Sequence, residues 1–160
     1  MFAIIIVKVN IMKERYKLRC AVFLILTKIE NGKEYILLQR RQNTGILDGK
    51  YDVSCSGHLE AGETLKQAMK RETKEEIGID IFEDKLELSS VMHANFSDSE
   101  YLLIAFSTKD YKGMPTIMED DKCSDLKWFE IDNLPDDIAD TRRIMIDNYL
   151  NDNNYNEYGF

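Results

Sequence analysis

The sequence predicts an α/β fold: a single domain in which a mixed β-sheet is covered by two helices, an α/β/α sandwich. Three observations predict it. Apolar segments of strand length outnumber helical ones. The two helical segments, near residues 64–78 and 136–150, stand far enough apart to cover opposite faces of a sheet. No internal repeat and no linker divides the 160 residues, a length that suits one domain with a full core.

The elements follow in order. Residues 1–13 are an N-terminal extension or an extra edge strand, and Met12 is an alternative natural start. The apolar run from Phe2 to Val7 is too short for a membrane span. It also lacks the positive leader and small-residue cleavage site of a signal peptide. The domain proper spans 14–150. From Lys17 to Ile29 an almost unbroken apolar run predicts a central strand buried on both faces. Glu30-Asn31-Gly32 makes a turn into a second strand, Glu34 to Arg40. A polar, glycine-containing loop leads to a short strand, Asp52 to Ser56, and then directly to Gly57.

A helix follows, with Thr64 as N-cap, Gln67 completing a capping box and Gly78 as a left-handed C-terminal cap. Asp80 to Lys85 is a charged connection. Strands Leu86 to Phe96 and Glu100 to Lys109 flank the turn Ser97-Asp98-Ser99, and a loop from Asp110 to Lys122 precedes a last strand, Leu126 to Ile131. Pro135 marks the boundary before a second helix, Asp136 to Leu150, with Ile138, Ile144, Met145 and Tyr149 as its apolar face. Residues 151–160, polar and asparagine-rich, are expected to be a frayed tail.

A formal net charge of −8 argues against a broad nucleic-acid footprint, which needs a basic face. It leaves room for a phosphorylated small molecule if a bound cation supplies positive charge. Cys20, Cys55 and Cys123 form no C-x-x-C pair, so the default is a reducing, cytoplasmic setting without a disulfide framework.

The first helix carries an anomaly. On a helical wheel Leu65, Ala68 and Met69 define the apolar stripe, yet Glu72 and Glu76 fall inside it and Glu75 on its edge. Burying unpaired carboxylates is costly. Three of them at i, i+3 and i+4 repel one another unless a cation sits between them, and a hard divalent ion with oxygen ligands is the simplest resolution.

Gly57, Glu63, Arg71-Glu72, Glu75-Glu76, Gly78 and Ile79 reproduce the spacing G-x5-E-x7-R-E-U-x-E-E-x-G-U, where U is aliphatic. This resembles the signature of the Nudix hydrolases, with Thr73 as the one departure. The likeness covers about residues 16–150, and the approach to the motif looks like that of a bacterial MutT-like branch. It implies Mg2+- or Mn2+-assisted hydrolysis of a nucleoside diphosphate linked to another group, a (d)NTP or oxidised (d)NTP giving monophosphate and pyrophosphate. ADP-ribose or a nucleotide sugar is the alternative substrate class. By the same resemblance, Glu72, Glu75 and Glu76 with the Gly57 carbonyl are metal ligands, and Glu72 or Glu76 serves as general base. Glu63 and Arg71 pair to brace them.

Weaker candidates lie outside the motif. Arg40 or Arg41 could meet phosphate, but adjacent strand residues face opposite ways, so at most one belongs to the site. Asp48, with Asn43 and Thr44, either shapes a substrate loop or simply forms a turn. His58 either lines the site or is a structural hydrogen-bonder. Glu119 is read more readily as part of a solvated acidic run than as an extra ligand. Tyr51, Phe96 and Trp128 are candidates for base stacking, with core packing as the plainer reading. The partner expected is a small-molecule nucleotide, with no stable nucleic-acid or membrane partner. A homodimer through residues 1–11 or the tail is compatible with the sequence. An isopentenyl diphosphate isomerase-like enzyme and a non-catalytic nucleotide sensor are the competing classes.

Overall fold

The computed structural model describes residues 15–160, so the extension at 1–13, and any strand or interface it forms, lies outside the described residues. Ten strands and two helices follow one another: β1 (Arg19–Glu30), β2 (Lys33–Arg41), β3 (Tyr51–Val53), β4 (Cys55–His58), α1 (Leu65–Ile77), β5 (Asp80–Ile81), β6 (Glu87–Asn95), β7 (Glu100–Thr108), β8 (Tyr111–Lys112), β9 (Cys123–Glu130), α2 (Asp140–Leu150) and β10 (Tyr155–Tyr158).

The sandwich expected from sequence is present. Eight strands form one mixed sheet in the order β10-β6-β7-β1-β2-β3, with β4 on β1 and β9 on β2. β1 runs parallel to β7, and β10 parallel to β6; the other pairs in that sheet are antiparallel. Alternation along β1 sends Val22, Leu24 and Leu26 to one face, where they pack with Ala68, Met69 and Ile77 of α1. Phe23 and Ile25 face the other side and meet Met145 and Ile146 of α2.

α1 begins and ends as predicted. Thr64 and Gln67 exchange the two hydrogen bonds of a capping box, and Gly78 is left-handed at φ 72°. The last carbonyls of α1 are also capped from outside: Met118 N–H donates to the Glu76 carbonyl at 3.0 Å and Thr116 N–H to that of Ile77 at 3.1 Å. The loop before β9 is thereby fastened over the end of α1.

Three expectations are corrected. The single strand predicted over Asp52 to Ser56 is two, because Ser54 breaks it by donating both its N–H and its hydroxyl to the Leu24 carbonyl. β3 then pairs with β2 and β4 with β1. α2 starts at Asp140 rather than Asp136, since Tyr51 N–H donates to the Asp137 carbonyl and Ala139 N–H to that of Tyr51, which makes Ile138 a bridge residue. The expected frayed tail forms β10, whose backbone is satisfied at the edge of β6.

Candidate active site

β1 is the hinge of the site. Residues 27–30 pair with β2, but residues 21–24 pair with β4, so β1 and β2 part company along their length. β2 meanwhile holds β3 and β9. A cleft of about 860 Å³ opens where these strands diverge, lined among others by Gln39, Arg41, Ser56, Gly57, His58, Glu76 and Glu119.

α1 delivers its acidic face to this cleft through β4. Glu76 lines the cleft, with its Oε2 accepting from Ser56 N–H at 3.0 Å and Gln39 Nε2 at 3.3 Å. Both donors are neutral. Burial, with the neighbouring Glu72 adding to it, pushes the Glu76 carboxyl up to about 7 against those hydrogen bonds. The Glu72 carboxyl lies against Gly57, where an added Cβ would overlap it, so only glycine permits this approach. Burial also raises Glu72, although the Arg71 guanidinium opposes the shift.

Arg71 organises the rest. Its Nη2 and Nε donate to Glu63 at 2.8 and 3.1 Å, its Nη1 to Glu72 at 2.6 Å and Glu75 at 3.2 Å, and its Nη2 also to the His58 carbonyl at 3.1 Å. Glu63 is held below the usual carboxylate range by that arginine, and its Oε1 accepts from Glu60 N–H as well. The pairing of Glu63 with Arg71 is therefore present. The convergence of three glutamates on one point is not: Glu75 is half exposed and turned to Arg71, and no group of three acidic, His or Cys side chains among the described residues is disposed to hold a metal ion as it stands. The donor set still suits a hard divalent cation, since it consists of carboxylate oxygens and, among the described residues, Glu76 is hydrogen-bonded to neutral donors. Glu72, Glu76 and the Gly57 backbone are the groups placed together.

Of the remaining candidates, Arg41 lines the cleft while Arg40 turns away to Asp137 at 2.6 Å and lies over Tyr51. That is the either-or expected of neighbouring strand residues. Asp48 accepts from Thr44 N–H, Thr44 Oγ1 and Gly45 N–H, closing a turn whose Thr44, Ile46 and Leu47 line the cleft, though Asp48 itself does not. His58 lines the cleft with Tyr101 at 3.5 Å. Glu119 also lines it, paired to Lys122 at 2.8 Å, instead of standing in a free solvated run. Phe96 lines the cleft; Tyr51 packs edge-on against Phe129, and Trp128 joins the core cluster on the α1 face. Thr73, at the aliphatic position of the motif, is buried, and its hydroxyl donates to the Met69 carbonyl at 2.6 Å.

One cluster escaped the sequence reading. Asp52 is fully buried and receives Arg142 Nε at 2.8 Å on one oxygen and Arg41 Nη1 at 3.2 Å on the other. Arg142 stacks over Phe23 at 4.3 Å and, like Arg41, lines the cleft. The sequence signal was there: Arg142 stands three and four residues before Met145 and Ile146, inside the apolar stripe of α2.

The architecture is that of a mixed-sheet sandwich which presents the acidic face of one helix beside a cleft. The chain belongs to the NUDIX domain family, whose pattern matches residues 17–149. It is 33% identical over 131 residues to the NAD-capped RNA hydrolase NudC of Vibrio atlanticus, covering 80% of this chain and 45% of that protein. It is 35% identical over 77 residues to the dihydroneopterin triphosphate diphosphatase of Escherichia coli K12, covering 48% of each. The chain thus spans about half the length of these relatives. Among solved structures, a MutT NUDIX hydrolase from Burkholderia pseudomallei superposes with a TM-score of 0.71 at 23% identity, over 83% of this chain and 98% of that one. The NUDIX domain of Shewanella oneidensis NrtR, crystallised with ADP ribose, gives 0.70 at 16% identity, over 86% and 90%. Among the described residues no helix is long and apolar enough to cross a membrane.

Proposed function

We propose that the protein is a Mg2+- or Mn2+-dependent pyrophosphohydrolase that converts a nucleoside triphosphate, ordinary or oxidised, to its monophosphate and pyrophosphate. The observation that carries this reading is Glu76: a carboxyl buried in the cleft beside Glu72 and Gly57, whose hydrogen bonds among the described residues come from neutral donors. Glu72 and Glu76 with the Gly57 carbonyl would hold the ion, and Glu75 joins them if Arg71 releases it. When bound, the ion neutralises phosphate charge and acidifies the attacking water. Glu63 fixes Arg71, and Arg71 orients Glu72. Arg41 and Lys122, both lining the cleft, offer cationic donors to phosphate oxygens. Glu72 or Glu76 would serve as general base in place of a ligand role.

A dinucleotide-type substrate such as ADP-ribose is the second reading. It is supported by the size of the cleft, towards the upper end of the roughly 300–1,000 Å³ usual for ligand pockets, and by the NAD-capped RNA hydrolase and ADP-ribose-binding relatives. The isomerase reading loses its support: the Cys55 thiol is buried towards Thr73 of α1, outside the cleft lining.

A panel of nucleoside triphosphates, 8-oxo derivatives, ADP-ribose and NADH assayed with Mg2+ and with Mn2+ tests the proposal. Monophosphate and pyrophosphate released from a triphosphate is the expected result. Turnover of the dinucleotide-type compounds alone selects the second reading, and no turnover of any nucleotide overturns the hydrolase.

A further inference from the structure

We propose that the C-terminal strand is a working part of the cleft: Tyr158, carried there by β10, joins Phe96 and Tyr101 to form a wall on which a planar heteroaromatic ring of the bound nucleotide stacks. The idea rests on the cleft being a nucleotide site, and it adds a subsite from residues 151–160, which lie beyond the family match at 17–149.

The three rings all line the cleft, with Phe96 6.0 Å from Tyr101 and 5.9 Å from Tyr158 between centroids, inclined at 66° and 48°. Phe96 remains 37% exposed, an apolar ring presented to the cleft rather than consumed by the core. Arg19 caps the wall, its Nη1 donating to the Tyr101 hydroxyl at 3.2 Å with the guanidinium 5.6 Å over the ring. Such a surface suits a flat polar ring, because base–aromatic stacking uses the π-face that every base possesses.

Tyr158 is held in place by fastenings on both sides. Upstream, Asn148 Nδ2 donates to Asn156, Asn153 Nδ2 donates to Asn148 Oδ1 at 3.0 Å, and Val91 N–H donates to the Asn154 carbonyl at 2.9 Å. Downstream, Gly159 takes φ 80° against the Asn95 backbone, where an added Cβ would overlap the carbonyl, and Phe160 packs on His93 at 4.6 Å. A polar, asparagine-rich tail with three aromatics is therefore a ladder that sets one tyrosine beside the site.

The test compares binding of the four nucleoside monophosphates with ribose 5-phosphate, which carries the same sugar phosphate without a base, by calorimetry. In the unaltered protein at least one monophosphate should bind roughly tenfold or more tightly than ribose 5-phosphate. Tyr158→Ala should remove most of that ratio, and Tyr158→Phe should keep it. An unchanged ratio in Tyr158→Ala, or no base preference in the unaltered protein, overturns the proposal. Should Tyr158→Ala not fold, titrating the tightest-binding monophosphate into the unaltered protein decides by NMR: ring resonances of Phe96, Tyr101 and Tyr158 move together if the wall stacks a base, and stationary rings overturn it. None of these arms uses turnover. A protein that stacks bases but hydrolyses nothing would keep this inference and lose the hydrolase.

Discussion

The two helices each bury charge within an apolar face, and they resolve the problem in opposite ways. On α2, Arg142 finds a carboxylate: Asp52 receives it on one oxygen and Arg41 on the other, so the buried Arg142 has a counter-charge inside the protein. On α1, Glu76 receives only a backbone N–H and a side-chain amide, and its carboxyl rises to about 7. Arg142 is paired without a ligand. The Glu76 cluster is electrostatically unfinished. The difference teaches where to look for chemistry, since a buried charge with its partner in place is architecture and one without is a request for a counter-ion.

The largest effect is expected where the buried ion pair is cut. Asp52→Asn leaves Arg142 buried without its counter-charge, and unfolding in urea should show a loss of about 3–5 kcal/mol; a loss below about 1 kcal/mol would mean that Arg142 is satisfied otherwise. On the unfinished side the bracing pair can be loosened. Glu63→Gln removes the anion that pins Arg71, and Mn2+ affinity should fall by about ten- to a hundredfold with little change in stability. The smallest effect belongs to the motif's one departure. Thr73→Val keeps the β-branched shape and gives up only a hydroxyl bonded within its own helix and to Cys55, so stability should shift by no more than about 1 kcal/mol while kcat/KM stays put.

The sequence made α1 legible because its cap, its periodicity and its misplaced glutamates all lie within one local segment. The same wheel applied to α2 would have found Arg142, but a helix begun at Asp136 hides the pattern: it assigns Ile138 to the helical face, whereas a bridge to Tyr51 claims it. The break at Ser54 was not legible either. Residues 51–55 are all buried, so no change in polarity marks the point at which the chain leaves β2 for β1. β10 depends on a distant partner: it has few apolar residues of its own and exists because β6 offers an unpaired edge. The divided role of Arg40 and Arg41 followed from strand alternation alone.

The buried carboxyls at the end of α1 call for a cation. In the metal-free fold Glu76 keeps its proton up to about pH 7, whereas an unfolded glutamate has lost it by about 4.5. Its folded-state affinity for the proton is raised, so its contribution to metal-free stability declines as pH rises from about 4.5 to 7. A metal ion must displace that proton. Calorimetric titration with Mn2+ at pH 6, 7 and 8 measures this directly, on the unaltered protein and on Glu76→Gln. The predicted result is an affinity that rises about fivefold from pH 6 to 7 and about twofold more from pH 7 to 8, together with weak binding in Glu76→Gln that lacks this rise. Equal affinity at all three pH values, unchanged by Glu76→Gln, would contradict it.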